Sequence, residues 1–282
     1  MLRDRGFIPV ETSMRGVANR WERKLSRQEA IAEVRNRFLQ KDRSLERAAF
    51  EEVFDTQTLM TIYKLMTSGL IEDFYGVVNA GKESRIYHAR SRAGEELAVK
   101  IYLVNNREFR RRTEYLAMDS RIGRVGGSVR RIIYAWARRE FLNLQQAHES
   151  GVRCPKPFVV RSNVLVMGFL GKDGVRYPLL RELDLGTEEL ESVYEEVLRN
   201  LRALYQKAGL VHGDLSEYNV MLASPEEVYF IDLSQSVLRD HPLAGRLLMR
   251  DIRNVNRYFS GRGAKVIEDE ELYAELTSHT CA

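Results

Sequence analysis

The stretch Leu210-Val211-His212-Gly213-Asp214-Leu215-Ser216-Glu217-Tyr218-Asn219, read with Val228-Tyr229-Phe230-Ile231-Asp232, decides the fold of this chain. A short apolar run leads to an acid, an amide follows five residues on, and a second apolar run ends in a second acid. Asp214 can take a proton from an attacking hydroxyl. Asn219 and Asp232 offer the oxygen donors that suit Mg²⁺ beside phosphate. Three such residues at this spacing point to phosphoryl transfer, not to a solvated loop whose acids cap helices.

This layout resembles the catalytic loop of protein kinases, H-R-D-x-x-x-x-N followed by D-F-G. The resemblance makes Asp214 the general base and assigns Asn219 and Asp232 to the metal. A second segment agrees. Glu96-Leu97-Ala98-Val99-Lys100-Ile101-Tyr102 reads as a strand with an A-V-K core, similar to the kinase V-A-I-K strand whose Lys meets the nucleotide phosphates. Alternation puts Ala98 and Lys100 on one face and Val99 on the other. A Lys among apolar neighbours needs an anion nearby. Forty residues on, Trp136 to Leu144 reads as a helix, with Phe141, Leu144 and Ala147 on one face. Glu140 borders that face and is expected to orient Lys100.

The phosphate loop departs from the usual kinase, because there is no G-x-G-x-x-G. Gly76-Val77-Val78-Asn79-Ala80-Gly81-Lys82-Glu83-Ser84 stands in its place. Gly76 to Lys82 also matches the start of a Walker A loop, which would make the chain a P-loop NTPase. That loop requires Ser or Thr after the Lys and a helix beyond it. Here Glu83 takes the hydroxyl position, and Ile86-Tyr87-His88-Ala89 favours a strand. A strand–turn–strand flap is the preferred reading, with Lys82 and Ser84 beside the nucleotide and Lys82 only an accessory cation. Val164-Leu165-Val166-Met167-Gly168-Phe169-Leu170-Gly171 reads as a buried strand leading into a hinge. Met167, Gly168 and Leu170 are placed there against the adenine by position.

Five segments together resemble the RIO family of atypical serine kinases. They are Gly81-Lys82-Glu83-Ser84, Gly151-Val152-Arg153-Cys154-Pro155-Lys156-Pro157, the Asp214 loop, Ile231-Asp232-Leu233-Ser234-Gln235-Ser236-Val237 and Asp240-His241-Pro242. The likeness runs from about residue 50 to about 260 and is nearest to the branch without a winged-helix domain. It implies a two-lobed kinase fold using ATP and Mg²⁺, with Mn²⁺ as a substitute. It also implies Ser phosphorylation or ATPase turnover, an aspartyl-phosphate on Asp232, and a role in maturing the small ribosomal subunit. Lys100, Asp214 and Asp232 are then the catalytic residues. Asn79-Ala80 departs from the Ser-Thr usual in that branch, which removes a hydroxyl contact to phosphate. Gly213 replaces the Arg of H-R-D, and no A-P-E follows His241-Pro242. A conventional peptide platform is therefore not expected.

The expected architecture is α+β: a small antiparallel-sheet lobe with one helix, a mainly helical second lobe and an N-terminal helical extension. We divide the chain into a basic arm at 1–43, the extension at 44–70, the first lobe at 71–168, the second at 169–270 and a tail at 271–282. An Arg-rich insert at 105–131 reads as a mobile loop that clamps RNA phosphates or a partner. Its cations are Arg107, Arg110, Arg111, Arg112, Arg121, Arg124, Arg130 and Arg131. In the second lobe, Thr187 is expected to cap a helix with Leu190, Val193, Val197, Leu201 and Leu204 inside and Gly209 at its end. Asp251 is read as an anchor for the catalytic loop or as a surface acid. The 282 residues carry a net charge of +4 and two cysteines, Cys154 and Cys281, which read as free thiols of a cytoplasmic protein. No uncharged apolar run approaches a membrane span, so no membrane partner is expected. The five His residues show no ligand spacing, so no structural metal is expected. A second function remains open: a nucleotide-switched module that binds RNA or the ribosome with little catalysis.

Overall fold

A computed structural model describes residues 26–32, 34, 54–104, 118–123, 125 and 127–278. Helix α1 (Thr56–Thr67) is capped by Asp55, whose carboxylate accepts from the Thr58 N–H at 2.8 Å. It leads into a five-stranded antiparallel sheet of β1 (Asp73–Ala80), β2 (Ser84–Arg90), β3 (Glu96–Tyr102), β4 (Pro157–Arg161) and β5 (Val164–Gly168). The spatial order is β1-β2-β3-β5-β4. Helix α2 (Val129–Glu149) lies between β3 and β4 in sequence and packs against β4 and β5.

Alternation along β3 builds two compartments, as the pleat requires. Leu97, Val99 and Ile101 enter the apolar cluster that also holds Ile62 and Leu65 of α1. Ala98 joins the cluster of the second lobe, and Lys100 shares its face. Tyr102 packs with Ile132, Ile133 and Trp136 of α2. α2 starts at Val129, so Arg130 and Arg131 are helical rather than part of a loop.

Beyond β5 a hairpin of β6 (Gly171–Lys172) and β7 (Val175–Arg176) joins the lobes. Gly171 is required there, since a Cβ would lie 2.3 Å from the Val175 carbonyl oxygen. The second lobe contains α3 (Thr187–Arg202), β8 (Leu210–Val211), β9 (Val220–Ser224), β10 (Glu227–Phe230), β11 (Val237–Leu238), α4 (Ala244–Ser260) and α5 (Asp269–Ser278). Leu190, Val193, Val197, Leu201 and Leu204 are all buried. The cap differs from expectation. Gly186 is the N-cap, Thr187 is already helical, and Glu189 accepts from the Gly186 N–H at 3.0 Å. A Glu in the first turn reaches back to that donor, so no hydroxyl is needed. The helix runs on through a π-turn (Ala203–Lys207), and Gly209 with φ +62° ends it.

The expected insert at 105–131 falls mostly outside the described residues, as do the arm at 1–43 apart from residues 26–32 and 34, residues 44–53 of the extension, and Cys281. Cys154 is buried and free. No helix among the described residues is long and apolar enough to cross a membrane.

Asn163, at the β4–β5 turn, ties this lobe together. It is fully buried; its amide nitrogen donates to the Tyr102 carbonyl at 2.9 Å and to the Thr58 hydroxyl of α1 at 3.0 Å. Asn163→Leu leaves the Tyr102 carbonyl without its side-chain donor. It should destabilise the protein by about 1–3 kcal/mol, measured by urea unfolding. An unchanged midpoint would show that the turn does not hold α1 to the sheet.

Candidate active site

The two lobes enclose a cleft of about 590 Å³. Lys82, Ser84, Lys100, Glu140, Met167, Gly168, Leu170, Asn219 and Asp232 all line it. Asp214 sits five residues before Asn219 on the same loop.

Lys100 is 5% exposed, and its Nζ donates to Glu140 Oε1 at 2.7 Å and Asp232 Oδ1 at 3.0 Å. Burial disfavours its charge, but the Asp232 and Glu140 carboxylates more than offset this and raise its pKa. Glu140 is 1% exposed. Burial pushes its pKa up, Lys100 opposes, and the Asp232 charge adds to the rise. Tyr102 donates its hydroxyl to Glu140 Oε2, occupying the second oxygen. Asp232 is different: its side chain is 47% exposed to the cleft. Burial of its surroundings raises its pKa, but the Lys100 ammonium and the Ser234 hydrogen bond prevail and hold it at about 2. It is therefore an anion at any ordinary pH.

Backbone geometry aims these groups. Asp232 has φ +58° and ψ +63°, a left-handed conformation that non-glycine residues adopt at a cost. A 3₁₀ turn (Leu233–Gln235) follows. Two side chains of α2 hold it. Arg139, 1% exposed, donates to the carbonyls of Ser234 at 3.4 Å and Ser236 at 2.7 Å. Asn143 donates to those of Leu233 at 2.8 Å and Ser236 at 3.1 Å. Helix α2 thus grips Lys100 through Glu140 and the Asp232 segment through Arg139 and Asn143.

The Asp214 loop is gripped from α4. The buried Asp251 accepts the Gly213 N–H at 2.7 Å and the Leu215 N–H at 2.9 Å, so it is the anchor and not a surface acid. Burial raises its carboxyl to about 7 against these two donors. Arg250 donates to the Gly213 carbonyl, and Asn254 to that of Leu215 at 3.2 Å. Gly213 has φ +77°, and a Cβ there would sit 2.9 Å from the Gln235 carbonyl oxygen. This backbone has no room for the Arg of H-R-D. Asn219 donates its amide nitrogen to the Asp214 carbonyl at 2.8 Å, which leaves Oδ1 as its donor for a cation. Asp214 Oδ2 accepts from Gln235 at 3.0 Å. Buried His212, pushed down to about 4 by burial, stays neutral with Nε2 3.1 Å from the Ile231 carbonyl oxygen.

Over the cleft, β1 and β2 form the expected flap, closed by the Gly81 N–H on the Ser84 carbonyl at 3.0 Å. Strand β2 follows Lys82 where a Walker loop needs a helix, which removes the P-loop reading. The hinge is narrower than expected. The Gly168 N–H is committed to the Lys156 carbonyl at 2.8 Å and that of Phe169 to Glu96 at 3.1 Å. Gly168 therefore cannot offer its N–H to adenine.

Of the arginines read as an RNA clamp, Arg107, Arg110, Arg111, Arg112 and Arg124 lie outside the described residues. Arg121 is turned inward, to Asp119 at 2.7 Å, Asn143 at 2.6 Å and Gln146 at 2.9 Å. Arg130 pairs with Asp55 at 2.5 Å. Arg131 remains exposed. Arg121 and Arg130 are both paired with anions of their own chain.

Sequence reasoning missed Arg139, Asn143, Arg250 and Asn254. Each bonds a carbonyl 37 or more residues away, and nothing in the local sequence announces that.

The description RIO domain fits residues 85–272. The serine/threonine-protein kinase RIO1 of Homo sapiens is 39% identical over 234 residues, covering 82% of this chain and 41% of its own length. The RIO-type serine/threonine-protein kinase Rio1 of Haloferax volcanii is 41% identical over 227 residues, covering 80% of this chain and 77% of its own. The chain spans about half the length, 41% to 50%, of the relatives from Homo sapiens, Caenorhabditis elegans and Chaetomium thermophilum. Among solved structures, the Rio2 kinase of Chaetomium thermophilum aligns with a TM-score of 0.55 at 21% identity, over 81% of this chain and 80% of that one. Its ADP/Mg²⁺-phosphoaspartate complex aligns with a TM-score of 0.54 at 20% identity, over 80% and 76%. These likenesses show a two-lobed kinase-like fold. With the domain matched from β2 to α5 and a relative matched along most of both sequences, the chain belongs to the RIO family.

Proposed function

We propose that this chain is an ATP- and Mg²⁺-dependent serine kinase and ATPase that phosphorylates itself, including on Asp232, and acts in small ribosomal subunit maturation. The observation that carries the catalytic part is the meeting of Lys100, Glu140, Asp232 and Asn219 in one cleft, with Asp214 bonded to the cleft-lining Gln235. The relatives' names and the Rio2 phosphoaspartate complex support it. The ribosomal part is supported by the family resemblance.

The donor set fits Mg²⁺. Asp232 is ionised and open to the cleft, and Asn219 keeps Oδ1 available; both are hard oxygen ligands. When bound, the ion would neutralise phosphate charge. Lys100, held charged, would pair with phosphate oxygens while Glu140 fixes its direction. Lys82 and Ser84 would cover the phosphates from the flap. Met167, the Gly168 carbonyl and Leu170 would face the adenine. For a Ser acceptor, Asp214 takes the hydroxyl proton as the new oxygen–phosphorus bond forms and the bond to ADP breaks. For Asp232, a carboxylate oxygen attacks phosphorus directly and ADP leaves. Water then hydrolyses the acyl phosphate, returning Asp232 and releasing inorganic phosphate. A nucleotide-switched binding module is the second reading; the complete charged set in the cleft favours catalysis over it.

Asp214→Ala should abolish turnover while ATP affinity stays within a few-fold, because a general base acts in the transition state. Near-normal transfer by this variant would remove Asp214 from the chemistry. Titration with Mg·ATP should show weaker binding for Asn219→Ala and much weaker for Asp232→Ala, which loses the charged ligand. Unchanged affinity in Asp232→Ala would mean it holds no metal. Lys100→Ala should lower kcat/KM at least about tenfold more than Lys82→Ala, or about 1.4 kcal/mol in the transition state. The reverse order would make the flap Lys the principal cation.

A further inference from the structure

Gln235 lines the cleft three residues after Asp232. The chain around it is zipped against the strand that delivers Asp214. Leu238 pairs with Leu210 and Val237 with Val211. The Ser236 hydroxyl then donates to the His212 carbonyl at 3.1 Å. One step further, the Gln235 carbonyl oxygen lies against Gly213, 2.9 Å from where a Cβ would stand. The run ends on a side chain, where Gln235 Nε2 donates to Asp214 Oδ2 at 3.0 Å. An ionised carboxylate only accepts, so the amide nitrogen and not its oxygen must face it.

The backbone that carries this amide is clamped from α2. Arg139 and Asn143 take the carbonyls of Leu233, Ser234 and Ser236, on both sides of Gln235. The bonds that anchor the Asp214 loop are of another kind. Those from Asp251, Arg250 and Asn254 end on backbone atoms of Gly213 and Leu215. They place the Cα of Asp214 and leave its χ1 and χ2 to turn, the second over a broad range. Asp214 is exposed, so packing does not hold its carboxyl either. The Gln235 amide does hold it, by one oxygen, from a donor whose own backbone is fixed.

We infer that Gln235 is the positioning residue of the general base, setting the plane of the Asp214 carboxylate toward the acceptor hydroxyl. This rests on the serine-kinase reading of the cleft. A base is effective when a third group orients it and it comes within about 2.6–3.2 Å of the atom that loses the proton. Lost orientation costs rate rather than nucleotide binding. The role belongs to a hydroxyl acceptor, whose proton passes to Asp214 as the oxygen–phosphorus bond forms and ADP leaves. Asp232 has no proton to lose when its carboxylate attacks phosphorus. The two phosphorylated products therefore depend on Gln235 unequally. A Gln that merely braced the turn would move both together.

The test incubates the intact chain with γ-labelled ATP and Mg²⁺ and follows hydroxylamine-stable and hydroxylamine-labile label separately. Gln235→Met keeps the length of the side chain and removes the donor. Gln235→Asn keeps an amide but is one methylene too short to reach Asp214. In either variant the stable label should form at least about tenfold more slowly, with KM for ATP and melting temperature unchanged. The ratio of stable to labile label should fall by a similar factor. Gln235→Glu sets carboxylate against carboxylate and should be no faster than Gln235→Met. Each of the first two variants decides alone if the other fails to fold. A wild-type rate in either, or a fall of both labels at constant ratio, would overturn the positioning role and leave the kinase reading standing. Label that is wholly labile in the wild type would overturn it too, since the base would have no hydroxyl to serve. A wild-type chain that forms no labelled protein and releases no phosphate would overturn the kinase reading itself, and this role with it.

Discussion

The structure depends on keeping one buried ammonium group charged beside the cleft. Lys100 has lost almost all its water, a penalty of several kcal/mol for an isolated ion. Two carboxylates balance it, Glu140 from the helix of its own lobe and Asp232 from the other lobe. Neither lobe alone supplies both, so this ion triad is a reason for the lobes to meet where they do. The triad is also asymmetric. Glu140 is sealed in and has both oxygens satisfied, whereas Asp232 opens to the cleft. The sealed partner can only orient Lys100; the open one can also meet a ligand.

Two helices then remove the freedom of the Asp214 and Asp232 loops. α2 sends Arg139 and Asn143 into the carbonyls that follow Asp232, and α4 sends Asp251, Arg250 and Asn254 into the backbone around Asp214. The tight approach of Gly213 to Gln235 joins the two loops. Buried side chains paired to backbone are strongly held, because breaking them leaves polar groups without water. Asp232 and the Asp214 loop therefore sit on a frame fixed by packing, with a short connection between Asp232 and α4.

Much of this was legible in the sequence, and for a common reason. Asp214, Asn219, Asp232 and Lys100 follow short apolar strands at fixed offsets, so local pattern predicts their setting. The flap was readable because β-branched and aromatic residues after Lys82 favour a strand over the helix a Walker loop needs. Glu140 was readable only as a residue bordering an apolar face. What stayed hidden are the long-range polar bonds. An Arg next to Glu140 looks like another surface charge until Ser234 and Ser236, more than 90 residues on, are folded against it. Arg121 and Arg130 were misread in the opposite sense: an Arg-rich run looks solvated, yet these two find Asp119 and Asp55. The cap at Gly186 shows a third limit, since a Glu in the first turn can replace the hydroxyl that the pattern seeks.

The most direct measurement is incubation of the chain with γ-labelled ATP and Mg²⁺, followed by denaturation and exposure of the labelled protein to hydroxylamine. Phosphoryl transfer in this cleft predicts protein-bound label that depends on Mg²⁺ and is absent from Asp232→Asn. A hydroxylamine-labile fraction would mark the acyl phosphate, and a stable fraction phosphoserine. Absence of both protein-bound label and released phosphate, with ATP bound, would contradict the account and leave the cleft as a nucleotide-sensing site.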